Sequence, residues 1–321
     1  MLLLYTLVLV TLHLTMVSSL RPPNDTLQSS IGKEGCQTQC GNVTVPYPFG
    51  IGLGKGCSLD ESFDLSCDST EKLFYKSSNI EIYNISDFEA RVANSIGYTC
   101  YNQQGNVTQG DETCSNLLTT PFSFSQKNKF IVIGCDDFGI ISGTNFSSTC
   151  WAMCGNNEVS DRNCSGIGGC CQTSIPKGLK HYNIEHLSMG NHTKVQSFNP
   201  CGMSFLGEVD SFMFLGASDL NNYRVFINRT LSSVPIVLDW VIGGNRSCEE
   251  ATECKGNSFC KDDVEIGGYH CICKEGYEGN PYLDPGCQQI DECNDNSHCK
   301  DNSSCIGGNV FIGHRSNNSK T

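Results

Sequence analysis

Cysteine constrains this chain more than any other feature, because it occupies 22 of the 321 positions. Cysteine at this density favours either a disulfide framework or metal sites. A structural zinc site needs C-x2-C pairs, and the sequence contains none. The close pairs Cys170-Cys171 and Cys271/Cys273 are poorly spaced for one tetrahedral ion. The sequence therefore predicts disulfides formed in an oxidising, extracellular compartment.

The N-terminal segment predicts secretion. Residues 1–19 form a short apolar run that ends in Val17-Ser18-Ser19, which is typical of a signal peptide cleaved after Ser19. A membrane anchor is the alternative, but the uninterrupted apolar part is too short for a good span, and no later window reaches transmembrane length. Residues 20–35 are polar and carry two prolines, so we expect a disordered leader there.

N-glycosylation sequons agree with secretion, because an N-x-S/T site is modified only on an accessible surface. Eleven are present. Asn163 is the weaker one, because its sequon contains Cys164, and Asn317 is the remaining sequon outside the predicted set. The predicted acceptors are Asn24, Asn42, Asn84, Asn106, Asn145, Asn191, Asn228, Asn245 and Asn302.

Secondary-structure signals favour β-strands throughout. Glycine is frequent, helical periodicity is absent, and the apolar segments are short and rich in β-branched and aromatic residues. The sequence therefore predicts an all-β, disulfide-rich, multi-domain chain with two small cores before Cys248. The predicted strands are residues 73–75, 80–85, 91–100, 122–124, 130–135, 211–215, 225–227 and 236–240.

One motif, C-Q-T-Q-C-G-N-V-T-V-P-Y-P-F-G-I over residues 36–51, is specific. Its two prolines fix φ and remove backbone donors, which predicts an edge strand leading into a rigid aromatic turn. The motif resembles the start of the galacturonan-binding module of plant wall-associated receptor kinases, and residues 130–135 match that module's closing strand. The resemblance implies two small, β-rich, lectin-like modules: a galacturonan-binding module at 36–139 and the family's associated cysteine-rich domain at 140–247.

A different cysteine pattern begins at Cys248. The spacing C-x5-C-x5-C-x10-C-x-C-x13-C over residues 248–287 resembles an EGF-like module. So small a module cannot bury enough apolar surface alone, whereas each disulfide adds roughly 2–4 kcal/mol. By resemblance, the pairs are Cys248–Cys260, Cys254–Cys271 and Cys273–Cys287.

Residues 288–305 resemble a truncated calcium-type EGF-like module. Gln289 stands where such repeats have an acid, so we expect at most weak calcium binding at Gln289, Ile290 and Glu292. The later cysteines of a repeat are missing, and residues 306–321 are predicted to be an unstructured tail. The transmembrane and kinase parts of the family are not present in this sequence. The chain thus resembles a secreted ectodomain of the cell wall.

An odd cysteine is also predicted, because thirteen cysteines precede Cys248. Cys114 is the candidate, since the family usually has no cysteine in that loop. In the truncated module Cys299 has lost its usual partner, so we expect it to be free or to pair with the odd cysteine upstream.

The net charge of −13 argues against nucleic acid as a partner. By resemblance, the expected ligand is pectin, or polygalacturonic acid. A polyanion would need a local lysine cluster or bridging cations, so no cofactor is required but calcium could bridge. The candidate ligand-binding residues are Lys33, Lys55, Lys72, Lys76, Arg91, Tyr47 and Phe49, with Tyr75 and Tyr101 as further aromatics.

Catalysis is not expected. The glycine-rich segment 50–56 lacks the Ser or Thr that follows GK in a phosphate loop, and its glycines suit turn positions with positive φ. His181, His186 and His192 fit neither zinc ligation nor a catalytic triad, and kinase motifs are absent. Binding is therefore the leading class of function. The alternative is a protein-interaction role in which the EGF-like part binds an apoplastic protein or a co-receptor.

Overall fold

Strands dominate the molecule, and the all-β, disulfide-rich fold class is confirmed. The structure is a computed structural model that describes residues 31–154 and 164–290. Two helices, α1 (Ala217–Asn221) and α2 (Tyr223–Ser233), accompany the strands. In chain order the strands are β1 (Gln39–Cys40), β2 (Val43–Thr44), β3 (Gly50–Ile51), β4 (Asp64–Cys67), β5 (Leu73–Tyr75), β6 (Glu81–Ile85), β7 (Glu89–Val92), β8 (Ile96–Tyr101), β9 (Val107–Asp111), β10 (Thr113–Asn116), β11 (Phe122–Phe124), β12 (Asn128–Ile133), β13 (Asp137–Gly143), β14 (Phe146–Ala152), β15 (Cys170–Ser174), β16 (His181–Ser188), β17 (Cys201–Glu208), β18 (Ile236–Trp240), β19 (Ser258–Asp262), β20 (Tyr269–Cys273), β21 (Tyr277–Glu278) and β22 (Gln288–Gln289).

Three larger sheets contain most of these strands. The seven-stranded sheet has the order β11-β18-β7-β6-β5-β4-β3, with β3 and β4 parallel and its other pairs antiparallel. The five-stranded sheet has the order β15-β12-β17-β8-β9, and the four-stranded sheet has the order β10-β16-β13-β14. Three small ribbons, β1-β2, β19-β20 and β21-β22, complete the described sheets.

The strand pairing differs from the expectation of two successive modules at 36–139 and 140–247. The boundary between residues 139 and 140 falls inside β13. β12 precedes that boundary but pairs with β15 and β17, which follow it. β18 likewise pairs with β7 and β11. Cysteine motifs report order along the chain but not strand partners, so the sequence could not show that the two ranges share their sheets.

Two hydrophobic clusters form the core. One is rich in aromatic rings, including Phe49 and Trp240, and lies under the seven- and four-stranded sheets. The other packs β12 and β17 against the helices through residues such as Ile131, Phe205 and Phe226. All five of these side chains are at most 1% exposed.

Two predicted strands are wrong. Residues 225–227 lie in α2, which begins where the Asn222 side chain accepts a hydrogen bond from the backbone N–H of Val225 at 3.3 Å. Phe226 and Thr230 are buried at the i, i+4 spacing of one helix face. Residues 211–215 form no strand, although Phe214 is 1% exposed. Short apolar runs do not distinguish these states, so packing decides.

The predicted strand at 91–100 is interrupted at residues 93–95 and divides into β7 and β8, which enter different sheets. The Asn94 side chain accepts from the Ser95 N–H at 2.7 Å and donates to the Val234 carbonyl at 3.0 Å. Such side-chain bonds to the backbone compete with a strand ladder. The predictions at 73–75, 122–124 and 236–240 coincide with β5, β11 and β18.

Residues 248–287, called the EGF-like region below, contain little regular structure beyond the two ribbons β19-β20 and β21-β22. Tyr269 forms an isolated antiparallel bridge with Ile242, and the Lys177 ammonium lies 2.9 Å from the Asp263 carboxylate. These contacts fasten the region to the strands before it. Its disulfides are Cys248–Cys260, Cys254–Cys271 and Cys273–Cys287, the pairs that the resemblance implies.

Six further disulfides lie before the EGF-like region. Cys114, the predicted odd cysteine, is exposed on β10 and has no disulfide partner within residues 31–154 and 164–290. Cys299 lies outside the described residues. The six pairs are Cys36–Cys57, Cys40–Cys67, Cys100–Cys201, Cys135–Cys154, Cys150–Cys171 and Cys164–Cys170.

Candidate functional site

The aromatic turn at residues 46–49 belongs to the core. Phe49 is 1% exposed, and its ring centroid lies 5.3 Å from that of Phe63 and 5.2 Å from that of Trp240. Neither face of Phe49 is open to a sugar, so the prediction that it contacts ligand is wrong. Tyr47 is largely buried too, but it borders a surface groove.

The glycine-rich segment forms a rigid turn directly after β3. Gly52, Gly54 and Gly56 have φ angles of 114°, 66° and 74°, which glycine adopts readily and other residues rarely do. The backbone N–H of Gly54 donates to the Asp64 carboxylate at 2.8 Å. Residues 52–58 are called the lysine loop below, because they contain Lys55 and accept hydrogen bonds from the Lys33 ammonium.

Lys33 and Lys55 meet at the lysine loop. The Lys33 ammonium donates to the carbonyl oxygens of Gly56 and Ser58, both at 2.9 Å, and lies 5.1 Å above the centre of the Tyr47 ring. Lys33 was expected to lie in a disordered leader, but hydrogen bonds hold this segment, such as that from the Tyr47 N–H to the Ile31 carbonyl at 2.8 Å. Lys55 is exposed and forms no ion pair with any described residue.

Lys76 lies beside the same loop. Its backbone N–H donates to the Asp64 carbonyl at 3.2 Å, while the Asp64 carboxylate holds the loop itself. The Lys76 ammonium lies 5.5 Å from the centre of the Tyr75 ring. Burial, with a smaller contribution from nearby carboxylates, raises the pKa of Tyr75 to about 12. The Tyr75 hydroxyl therefore stays neutral and does not repel an anion.

Lys72 and Arg91 are engaged elsewhere. The Lys72 ammonium lies 3.0 Å from the Glu81 carboxylate. The Arg91 guanidinium lies 2.7 Å from the Glu208 carboxylate and joins β7 to β17, and this hydrogen bond raises the pKa of Arg91. Lys72 and Arg91 are therefore each paired with a carboxylate, whereas Lys33, Lys55 and Lys76 have no ion pair among the described residues.

Tyr101 is buried within a polar network and is not available to a ligand. Its ring stacks on that of His192, with centroids 4.9 Å apart. His192 Nε2 lies 2.8 Å from an Asp137 carboxylate oxygen, and its Nδ1 lies 2.5 Å from the Asn199 carbonyl. Burial lowers the pKa of His192, but the ion pair with Asp137 outweighs burial and the net pKa is raised. This network fastens β13 to the loop before β17.

A groove of about 390 Å³ separates the aromatic turn from the EGF-like region. Its walls include Tyr47 and Phe88 on one side and Tyr277 and Asn280 on the other. The Asn280 side chain donates to the Tyr47 carbonyl at 2.7 Å, which fixes the two walls together. The sequence analysis missed the groove because its walls are far apart along the chain.

The calcium and glycan predictions are only partly covered by the structure. Gln289 ends β22 and the Ile290 N–H donates to the Gly276 carbonyl at 2.9 Å, whereas Glu292 lies outside the described residues. Within residues 31–154 and 164–290, no group of three or more His, Cys, Asp or Glu side chains could hold a metal. Weak calcium binding stays a prediction. Asn24 and Asn302 lie outside the description, and the other predicted acceptors are exposed: Asn42, Asn84, Asn106, Asn145, Asn191, Asn228 and Asn245.

Comparison with known proteins defines the class of this site. Residues 36–94, which carry the aromatic turn and the lysine loop, match the family described as wall-associated receptor kinase galacturonan-binding. This range is shorter than the predicted 36–139. It ends just after β7, where the chain leaves the seven-stranded sheet. No solved structure gives a significant match.

The relatives are receptor kinases of Arabidopsis thaliana. The chain is 39% identical over 267 residues to wall-associated receptor kinase 2 and 35% identical over 271 residues to wall-associated receptor kinase 1. Both alignments cover 81% of this chain, and the chain spans about a third of the relatives' length, 35% in each case. The resemblance to this family is therefore confirmed. Among the described residues, none of the helices has the length and apolar character needed to cross a membrane.

Proposed function

We propose that this chain binds de-esterified galacturonan outside the cell, through the lysine loop. One observation carries the proposal: Lys55 lies in a rigid glycine turn, the Lys33 ammonium donates to that turn, and neither lysine forms an ion pair within the described residues. Lys76, also without an ion pair there, is joined by its backbone to Asp64, whose carboxylate holds the turn. A polyanion such as polygalacturonate needs local positive charge on a chain whose net charge is −13. The match of residues 36–94 to a galacturonan-binding family supports the same ligand.

The geometry suits weak, repeated contacts rather than an enclosed pocket. Lys55 is exposed and Lys33 and Lys76 are half-buried, so no lysine lies in an enclosed site and each uronate carboxylate gains only a screened interaction of about 1 kcal/mol or less. A long galacturonan presents many carboxylates, and multivalency then raises the overall affinity. Calcium would strengthen the complex further by bridging ligand carboxylates to protein carboxylates.

The test uses the complete secreted chain and oligogalacturonides of increasing length. We expect affinity to rise with length and with calcium, and to fall as salt is added. The double variant Lys55→Gln/Lys76→Gln should bind about tenfold more weakly, since each lysine contributes up to about 1 kcal/mol. Lys72→Gln is the matched control, because the Lys72 side chain is also exposed but its ammonium is paired with Glu81.

Equal binding to fully methyl-esterified pectin would contradict the proposal, because esterification removes the ligand charges. An equal loss in the Lys72 control would show that general charge, and not the lysine loop, attracts the ligand. Binding of a protein by the EGF-like region stays a prediction, and retention of a protein by a variant that no longer binds galacturonan would favour it.

A further inference from the structure

The groove beside Tyr47 is preformed. The Asn280 side chain donates to the carbonyl oxygens of Tyr47 at 2.7 Å and of Ile31 at 3.2 Å, which joins its two walls. On its floor, the Trp240 indole N–H donates to the Ser86 carbonyl at 3.0 Å. A ligand would meet walls that are already ordered, so little ordering entropy would be lost on binding. Its volume of about 390 Å³ lies within the range of small-molecule sites, about 300–1,000 Å³.

The groove presents an aromatic ring that the core does not cover. Phe88 is 44% exposed, yet its ring is held edge-on by His270, with centroids 4.9 Å apart and planes at 85°. His270 packs in turn on Trp240 at 5.2 Å. Tyr277 adds a second, half-buried ring to the opposite wall. A fixed, open aromatic face binds the C–H face of a sugar ring by dispersion and desolvation.

Two of the groove's polar groups are unpaired carboxylates, which accept hydrogen bonds. Asp87 and Glu278 line it, both are exposed, and neither side chain has a hydrogen bond or an ion pair among the described residues. No lysine, arginine or histidine is among the groove's described lining residues. Carboxylates accept hydrogen bonds from hydroxyl groups, whereas they repel another carboxylate. The groove therefore suits a hydroxyl-rich ligand without negative charge, the opposite of the ligand that suits the lysine loop.

We propose that this groove is a second carbohydrate site that takes an uncharged pyranose unit of an oligosaccharide. Phe88 provides the stacking face, and Asp87 and Glu278 accept hydroxyl hydrogen bonds. The site does not depend on the lysine loop, and its ligand class differs in charge. A result that disproves ligand binding at one site therefore leaves the proposal for the other site unaffected.

The experiment follows Trp240 as the reporter. The chain has two tryptophans, and Trp151 is 46% exposed on β14 away from the groove lining. A Trp151→Phe background leaves Trp240 as the only indole. Cellotetraose and galactotetraose are titrated as neutral probes, and tetragalacturonate as the charged probe. We expect a saturable change in Trp240 emission with at least one neutral tetramer and none with tetragalacturonate.

Two variants test the contacts. Phe88→Ala removes the stacking face and should lower the affinity for the neutral tetramer about tenfold. Asp87→Ala removes one charged acceptor and should weaken it by a similar factor, about tenfold. Because the Asp87 side chain is exposed and unbonded, this variant keeps the fold and decides the question if Phe88→Ala does not fold. Lys55→Gln should leave neutral binding unchanged while it weakens long oligogalacturonides.

The protein's own glycan is the alternative occupant, since the sequon of Asn84 includes Ser86, which lines the groove. The titration is therefore repeated with Asn84→Gln. Similar binding of the neutral tetramer with and without the sequon supports the proposal. A response that appears only in Asn84→Gln, no response with either neutral probe, or binding that Phe88→Ala and Asp87→Ala leave unchanged would each overturn it.

Discussion

The seven-stranded sheet and the EGF-like region form opposite walls of one groove, but they are stabilised by different means. Under the sheet, Phe49, Phe63 and Trp240 are at most 2% exposed and pack ring against ring. In the EGF-like region, three disulfides within residues 248–287 supplement the few side chains that join this core. Its largest fully buried side chain, Tyr269, packs against Gly243 outside the region.

This contrast shows that one groove can be formed between a sheet stabilised by side-chain packing and a region stabilised largely by disulfides. A substitution in the aromatic core should weaken the sheet and spare the disulfide-bonded turns. Loss of a disulfide should do the reverse. The groove then disappears in either case, but for reasons that can be told apart by where the backbone becomes exposed.

The largest effect is expected from Phe49→Ala, which removes a buried ring from the sheet's core. We expect a loss of about 3–5 kcal/mol in the free energy of unfolding, because the cavity cannot be refilled. Denaturant unfolding with hydrogen exchange over β4–β7 measures it. Leu53→Ala, at a side chain that is 48% exposed, is the control and should cost less than about 0.5 kcal/mol. A loss under about 1 kcal/mol for Phe49→Ala would show that the aromatic cluster does not support this wall.

The next effect concerns the cross-linked wall. The double variant Cys254→Ala/Cys271→Ala opens a disulfide whose cysteines are 17 residues apart. The free energy of unfolding should fall by about 3 kcal/mol, mainly because the unfolded chain gains conformational entropy when the cross-link is removed. Hydrogen exchange should accelerate in residues 248–287 while β5–β7 keep their protection. Equal acceleration in the sheet would mean that the two walls unfold as one unit.

A pH change should also separate the two parts, because two histidines respond in opposite directions. Burial lowers the pKa of His270 to about 4 from an unfolded value of 6.5. The contribution of neutral His270 to the free energy of unfolding is fully present above pH 6.5. As the pH falls towards 4, up to about 3 kcal/mol of it is lost. His192 has a raised pKa through Asp137, so its contribution is fully present below pH 6.5 and is lost as the pH rises through the raised pKa.

The two responses can be measured by hydrogen exchange at pH 7 and pH 4. Protection factors, which compare each amide with its intrinsic exchange rate at the same pH, should fall in residues 248–287 at pH 4. Those of the loop around His192 should be at least as high as at pH 7. His270→Phe should abolish the acid response of the EGF-like region. Should that variant respond to acid like the original chain, another group must carry the effect. Burial raises the pKa of Asp137, but its two neighbouring histidines outweigh burial and the net pKa is lowered. The contribution of Asp137 to stability is therefore fully present above its unfolded pKa of 3.8 and is lost as the pH falls through the lowered pKa.

The smallest effect is expected at the ion pair that joins two sheets. Glu208→Gln should cost about 1–2 kcal/mol, since it weakens a charged hydrogen bond to Arg91, a side chain that is only 31% exposed. Lys72→Met breaks the more exposed pair with Glu81 and should lower stability much less than Glu208→Gln. Thermal unfolding of both variants measures the difference. Equal costs would show that the inter-sheet pair is no better than a surface pair.

Local signals in the sequence predicted a substantial part of the fold. Cysteine density indicated disulfides, and the glycines at 52, 54 and 56 have the positive φ angles that were expected of turn positions. Strands β5, β11 and β18 were predicted with their observed bounds. These features depend on neighbours in the chain, which the sequence displays directly.

Long-range partners could not be predicted in the same way. Phe49 and Lys55 are six residues apart, yet the former lies in the core and the latter is exposed, because only the former faces Trp240 from β18. Arg91 was a candidate ligand-binding residue until Glu208, 117 residues away, was found to occupy its guanidinium. The helix at Tyr223–Ser233 was missed because its apolar positions also fit a short strand.

The position of β18 between β7 and β11 has a consequence for synthesis. The matched segment 36–94 leaves the ribosome long before Ile236, so the exposed edge of β7 must wait for its partner. At about 5–20 residues per second the wait is on the order of 10 s. Throughout it, the nascent sheet offers unpaired backbone groups to any other strand. The edge of β7 must therefore be kept from pairing with other strands until β18 has been synthesised and completes the sheet.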